Sequence, residues 1–142
     1  MKKRMIFGIA AALLLLFVGL AGYYLLPHGR VANVEIRIDP SASFTEGEIR
    51  SAMNVVKRKF WRDWQYCELT ELYYEEDYNQ KHAAAEARQF EAKDAIILRS
   101  TFEVGLLYDE GNMAPGDTYT RWSWILTRDA VGGWQLQTWG YA

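Results

Sequence analysis

From Met5 to Leu26 the chain reads MIFGIAAALLLLFVGLAGYYLL without a charged side chain, and polar and apolar positions begin to alternate only beyond Pro27. As a helix, these twenty-two residues rise about 33 Å at about 1.5 Å each, enough to cross a hydrocarbon layer of about 30 Å. Lys2, Lys3 and Arg4 precede the run. A positive cluster of this kind stays in the cytoplasm, which places the residues that follow outside. Tyr23 and Tyr24 fall where an interfacial aromatic belt belongs, and Pro27 stops the helix. The alternative is a cleaved signal peptide with Gly19, Leu20 and Ala21 as its small-residue site. Its apolar segment is ordinarily about 7 to 15 residues, so the longer run favours an uncleaved signal anchor over residues 1–26. Either reading exports the remainder.

Residues 27–43, PHGRVANVEIRIDPSAS, read as a tether in which Val34, Ile36 and Ile38 alternate with Glu35, Arg37 and Asp39, the pattern of a brief edge strand. The domain itself is expected over residues 44–142. FTEGEIRSAMNVVKRKFWRDW carries the clearest helical signal: Thr45 and Glu48 have capping-box spacing, and Ile49, Met53, Val56, Phe60 and Trp64 recur on one stripe. CELTELYY then reads as a strand ending in an acidic turn, with Leu69 and Leu72 on opposite faces unless a bulge shifts the register. NQKHAAAEARQFEAKD predicts a short, partly exposed helix opened by Asn79, with only Ala83, Ala87 and Phe90 to dock it.

AIILRSTFEV alternates, placing Ile96, Leu98, Ser100, Phe102 and Val104 on one face. A glycine-rich loop follows, and then TYTRWSWILTR and WQLQTWGY, joined through DAVGG as a hairpin. If Arg128 stands opposite Trp134, then Leu126 meets Leu136, Trp124 meets Thr138 and Trp122 meets Gly140, so that large side chains face small ones. That face reads as the inner one, under the Thr45–Trp64 helix. The opposite face would carry Tyr119, Arg121, Ser123 and Ile125 against Gln135, Gln137, Trp139 and Tyr141. Trp122, Trp124 and Trp134 would then be core. In the sharper reading a cavity remains at the open end of the sheet, with Tyr73, Arg99, Trp122 and Trp124 as the candidate pocket for a small ligand. The fold class is α+β, a curved antiparallel sheet with one long and one short helix behind a transmembrane segment.

The motifs TEGEIRSAMNVVKRKFWRDWQYCELTELYYEE, AEARQFEAKDAIILRSTFEV and TYTRWSWILTRDAVGGWQLQTWGYA resemble an uncharacterised family of small exported or lipid-anchored domains of Gram-positive bacteria. That family is similar to the cone-shaped nuclear transport factor 2-like, or cystatin-like, fold. The resemblance covers roughly residues 40–142 and implies no catalytic residues. Many members carry a lipid-attachment cysteine, whereas this chain has Gly22 and Tyr23 where one would stand. Its hydrophobic helix then does the anchoring.

Charge and cysteine content narrow the functions. Removing the first four residues leaves thirteen basic against eighteen acidic side chains, net −5, a surface that repels phosphate backbones and argues against nucleic-acid binding. Cys67 is the single cysteine, so no internal disulfide or multi-cysteine zinc site is available, and a buried inert thiol is expected. His28 lies in the tether and His82 in the alanine-rich helix, with no metal-binding spacing, serine-nucleophile motif or phosphate-cradling loop. No cofactor is implied. Asp94, Asp117, Tyr73, Tyr108 and Tyr119 are the groups that an acid/base enzyme would draw on, given that the cone fold elsewhere hosts such enzymes. Lys57, Arg58, Lys59 and Arg62 offset the helix dipole at the end of the long helix, or face anionic headgroups with Phe60 and Trp61 at the interface.

The reading that results is a membrane-tethered extracytoplasmic binding or interaction module, anchored in the bilayer through residues 5–26 and non-enzymatic. Its partner would be a small apolar ligand, a peptide or a neighbouring envelope protein. A small acid/base enzyme using the same cavity is the alternative, and a purely structural role in self-association the third.

Overall fold

The computed structural model describes residues 2–141, apart from the side chain of Tyr24, so the expectation for that ring lies outside the described residues. Helix α1 (Lys2–Leu25) is exposed along nearly all its length. Its stretch Lys2–Tyr23 is long and apolar enough to cross a membrane. The chain does not then wander as a free tether. Gly29 N–H donates to Trp61 O at 3.0 Å and Arg30 N–H to Cys67 O at 2.9 Å, so only residues 26–28 join α1 to the folded body. A β-carbon on Gly29 would stand 2.3 Å from Phe60 O, which is why glycine occupies this close approach.

The body is a mixed α+β domain. Strand β1 (Glu35–Ile38) leads into α2 (Glu46–Asp63), β2 (Cys67–Tyr74), α3 (Glu76–Gln89), β3 (Asp94–Val104), β4 (Thr118–Arg128) and β5 (Gln135–Gly140). The curved sheet has the order β1-β2-β3-β4-β5. It is antiparallel except at one edge, where β1 runs parallel to β2. The fully antiparallel expectation fails there because α2 intervenes as a crossover between these strands, and a crossover returns the chain in the same direction.

The α2 stripe is realised as the sequence predicts. Thr45 caps the helix and forms the reciprocal capping box with Glu48, while Ile49, Met53, Val56, Phe60 and the C-cap Trp64 are buried. They pack on the inner face of the sheet with Leu69, Leu72, Leu98, Phe102, Trp124 and Leu126. The β2 bulge falls between Leu69 and Glu71 and brings Leu69 and Leu72 to the same core. Cys67 is fully buried, and desolvation pushes its thiol up to about 11, which keeps it protonated and unreactive.

Three local expectations are corrected. Helix α3 starts at Glu76, inside the stretch read as an acidic turn, and Asn79 does not cap it. The Asn79 amide instead donates to Ile97 O and accepts from Ile97 N–H, both at 2.8 Å, pairing β3 backbone beyond the end of β2. In the β4–β5 hairpin Leu126 does face Leu136, but a shift between Ile125 and Leu126 then sets Trp124 opposite Trp139 rather than Thr138. A third irregularity, between Ser100 and Phe102 with Arg121 at φ 56, turns Tyr119 inward to stack on Phe102 at 5.3 Å. A one-residue bulge exchanges the faces of everything beyond it.

Candidate functional site

Two bulges, one between β3 and β4 and one between β4 and β5, build the site. They carry Trp139 and Tyr119 inward, so the aromatic residues of β4 and β5 meet the carboxyl end of α2 and the loop 105–117. A groove of about 340 Å³ opens there between Lys59, Asp63 and Trp64 of the α2 end, Tyr108, Glu110, Asn112 and Met113 of the loop, and Trp122 and Trp139 of the sheet. Trp64 stands edge-on to Trp139 at 5.6 Å and lies 5.0 Å from Trp124 behind it. Trp122 packs edge-on against Tyr141 at 5.3 Å.

The polar groups of the groove fall into two kinds. Lys59 Nζ sits 4.5 Å from the Trp139 ring centre and 2.5 Å from Asp63 Oδ2, and Asp63 also accepts from Arg62 at 2.9 Å. These two partners outweigh partial burial and hold the Asp63 carboxyl below its ordinary value. Tyr108 donates to Asn112 Oδ1 and is pushed up to about 12, first by burial and then by the Glu110 charge, so it remains a neutral donor. The second kind is unmatched. The indole N–H groups of Trp64 and Trp122 are buried without an acceptor among the described residues. Leaving such a donor unpaired costs about 1–3 kcal/mol.

The four residues predicted for a pocket do not come together. Leu98 pairs with Trp124 and Ser100 with Trp122, whereas Arg99, between them, pairs with Tyr73 and Ser123. Tyr73 and Arg99 therefore occupy the opposite face of the sheet. There Arg99 binds Glu75 at 2.8 Å and lies over Tyr78, while Arg37 covers Tyr73. Trp124 is fully buried and donates to Ser100 Oγ at 2.8 Å, which makes it core. Trp134 is core as well, its N–H donating to Glu48 O at 3.0 Å. Of the four, Trp122 alone lines the groove.

The groups considered for acid/base chemistry are also dispersed. Asp94 is held by Arg128 at 3.1 Å, Asp117 is exposed, Tyr73 is on the far face, and Tyr119 accepts from Ala114 N–H. Among them Tyr108 reaches the groove. The basic set at the end of α2 divides in two: Lys59 and Arg62 share Asp63, whereas Lys57 and Arg58 make no ion pair among the described residues. Lys57 and Arg58 flank a shallower recess of about 300 Å³ with Val31, Asn54 and Trp61. A further groove, about 370 Å³, lies between α3 and the start of β3, where Ala83, Ala84 and Ala87 form the helix side and the Asn79 amide is already engaged by the Ile97 backbone.

Sequence reasoning missed Trp64, Trp139, Glu110, Asn112 and Met113 as groove residues. Trp64 reads as the last position of a core stripe, and Trp139 falls on the wrong face once the bulge is overlooked. Comparison with protein-family models, with curated proteins and with solved structures returned no match.

Proposed function

We propose that the chain is a single-pass membrane protein with its amino end in the cytoplasm and its domain outside the cell, and that the domain is a non-enzymatic binding module using the aromatic groove. The observation that carries the binding reading is a groove walled by three indoles, Trp64, Trp122 and Trp139, with the Lys59 ammonium over the Trp139 ring. A partner offering acceptor oxygens beside an apolar face would meet the Lys59 ammonium and the indole faces, and the volume falls at the small end of ligand sites, about 300–1,000 Å³. A small apolar ligand with such oxygens fits this description. So does a short segment of a peptide or of a neighbouring envelope protein.

The anchoring reading is supported by the charge-free length of α1 behind Lys2, Lys3 and Arg4. The likeness to the nuclear transport factor 2-like cone is supported by one long helix lying in the concavity of a curved sheet. Site-directed photo-crosslinking in intact cells tests the binding reading. A benzophenone side chain at Met113 should give a discrete adduct that Trp122→Ala suppresses at least several-fold, and the same group at Val131, 92% exposed, should give none. Absence of a groove-specific adduct would defeat the reading. Externally added protease should digest the domain in the same cells, and protection would reverse the orientation.

A further inference from the structure

The large apolar side chains that the domain leaves in solvent are distributed unevenly. Among the described residues beyond α1 and the connector they are Tyr66, Leu106, Leu107, Val131, Trp139 and Tyr141, with Leu106 82% and Leu107 73% exposed. Val131 sits alone at the β4–β5 hairpin. The other five lie at the opposite end, where α2 finishes, β4 begins and the loop 105–117 returns.

That end is also where the anchor enters. Gly105 N–H donates to Tyr66 O at 2.8 Å, Cys67 N–H to Trp64 O at 3.2 Å and Arg30 N–H to Cys67 O at 2.9 Å, which ties the loop bearing the leucine pair to the α2 end and the connector. The Trp61 ring stacks on His28 at 3.9 Å and meets Tyr23 at 5.7 Å. Tyr23 belongs to the last turn of α1, so wherever α1 crosses a bilayer, Trp61 shares the headgroup depth of Tyr23. The connector from Leu25 to Gly29 reaches roughly 14 Å at full extension, and the domain cannot stand far off.

We propose that this end of the domain is a membrane-docking face. Leu106, Leu107 and Trp61 enter the interfacial layer of the same bilayer that holds α1, and Lys57 and Arg58 receive anionic phospholipid headgroups. Charge selects the occupant: Lys57 and Arg58 have no acidic partner among the described residues and flank a recess floored by Val31 and Trp61. A cation near an anionic surface is drawn to it, and an exposed leucine gains by leaving water. Asp109 and Glu110 follow the leucine pair and stay in water, so the insertion is limited to the leucine tips. The proposal rests on the anchoring reading of α1 and is independent of any ligand in the aromatic groove.

The test uses the full chain in lipid nanodiscs with an environment-sensitive fluorophore on Leu107→Cys, or on Val131→Cys as the solvent reference, Cys67 being buried. In neutral phosphatidylcholine the label at 107 should be blue-shifted and quenched several-fold more by headgroup-proximal doxyl lipid than the label at 131. Adding phosphatidylglycerol should deepen the quenching at 107. The double variant Lys57→Gln/Arg58→Gln should abolish that increment and keep the neutral-lipid quenching. Solvent-like emission at both positions would overturn the docking face, and quenching indifferent to phosphatidylglycerol would overturn the headgroup assignment. Release of the unlabelled chain from vesicles at alkaline pH would defeat the anchoring reading and the docking face with it.

Discussion

Glu76 shows how a few hydrogen bonds make a single side chain report on folding. Its carboxylate accepts from Tyr74 Oη at 2.6 Å, from Ala42 N–H at 3.1 Å and from Gln80 Nε2 at 2.9 Å, fastening the start of α3 to the chain ahead of α2. The Tyr74 bond is the largest cause that lowers Glu76 to about 2, and burial with the same contact pushes Tyr74 up to about 12. A carboxyl held below its unfolded value of about 4.3 contributes stability that is complete above that pH and is lost as the pH falls towards 2. In detergent micelles the wild-type unfolding midpoint should therefore drop between pH 4.5 and 2.5 more steeply than that of Glu76→Gln. Parallel curves would mean that the contact does not persist in solution. None of this was legible beforehand, because the acidic residues at 75–77 look like any solvated turn until Tyr74 is placed beside them.

At the level of elements, what the sequence reveals is what neighbours along the chain decide. Capping spacing and a single apolar stripe are local, and α2 follows them; the clash of Leu69 with Leu72 announces its own bulge. Asn79 is different, because its strongest partner, the Ile97 backbone, is distant in sequence, and that tertiary bond overrides its capping preference. The β4–β5 register holds for Leu126 and Leu136 next to the turn and fails one bulge later, where no residue type marks the insertion. The groove was illegible for that reason, since Trp139 reaches Trp64 only through this bulge. Two glycines, one at the connector and one in α2, make the contrast testable. Gly29→Ala drives a β-carbon against Phe60 O and should destabilise the domain by about 1–3 kcal/mol. Gly47→Ala, in the exposed first turn of α2 with its nearest contact at 4.0 Å, should stabilise it by about 0.5–1 kcal/mol. Urea unfolding followed by tryptophan fluorescence measures both, and equal effects would contradict the close approach.

For the whole molecule, on the docking proposal, the short connector and the Tyr23–His28–Trp61 stack would make the anchor and the docking face two attachments of one body to one surface. Linked attachments act through effective concentration, which is highest when the link just spans the gap and falls as the link lengthens. Inserting about ten Gly and Ser residues between Pro27 and His28 should separate these contributions. Gly29 and Arg30 keep their bonds to the domain, so the urea midpoint should stay within experimental error. Quenching of the Leu107→Cys label should fall, and by more in phosphatidylcholine than with phosphatidylglycerol present, because attraction of Lys57 and Arg58 to anionic headgroups compensates for the longer leash. Raising the salt shortens the reach of that attraction to below about 8 Å and should erase the difference between the two lipids in the lengthened chain. The parent should lose only its phosphatidylglycerol increment and keep the neutral-lipid quenching that its connector enforces. If the lengthened and parent chains were quenched alike at high salt in neutral lipid, the leucine pair alone would suffice to hold the face down, and the connector would have no part in docking.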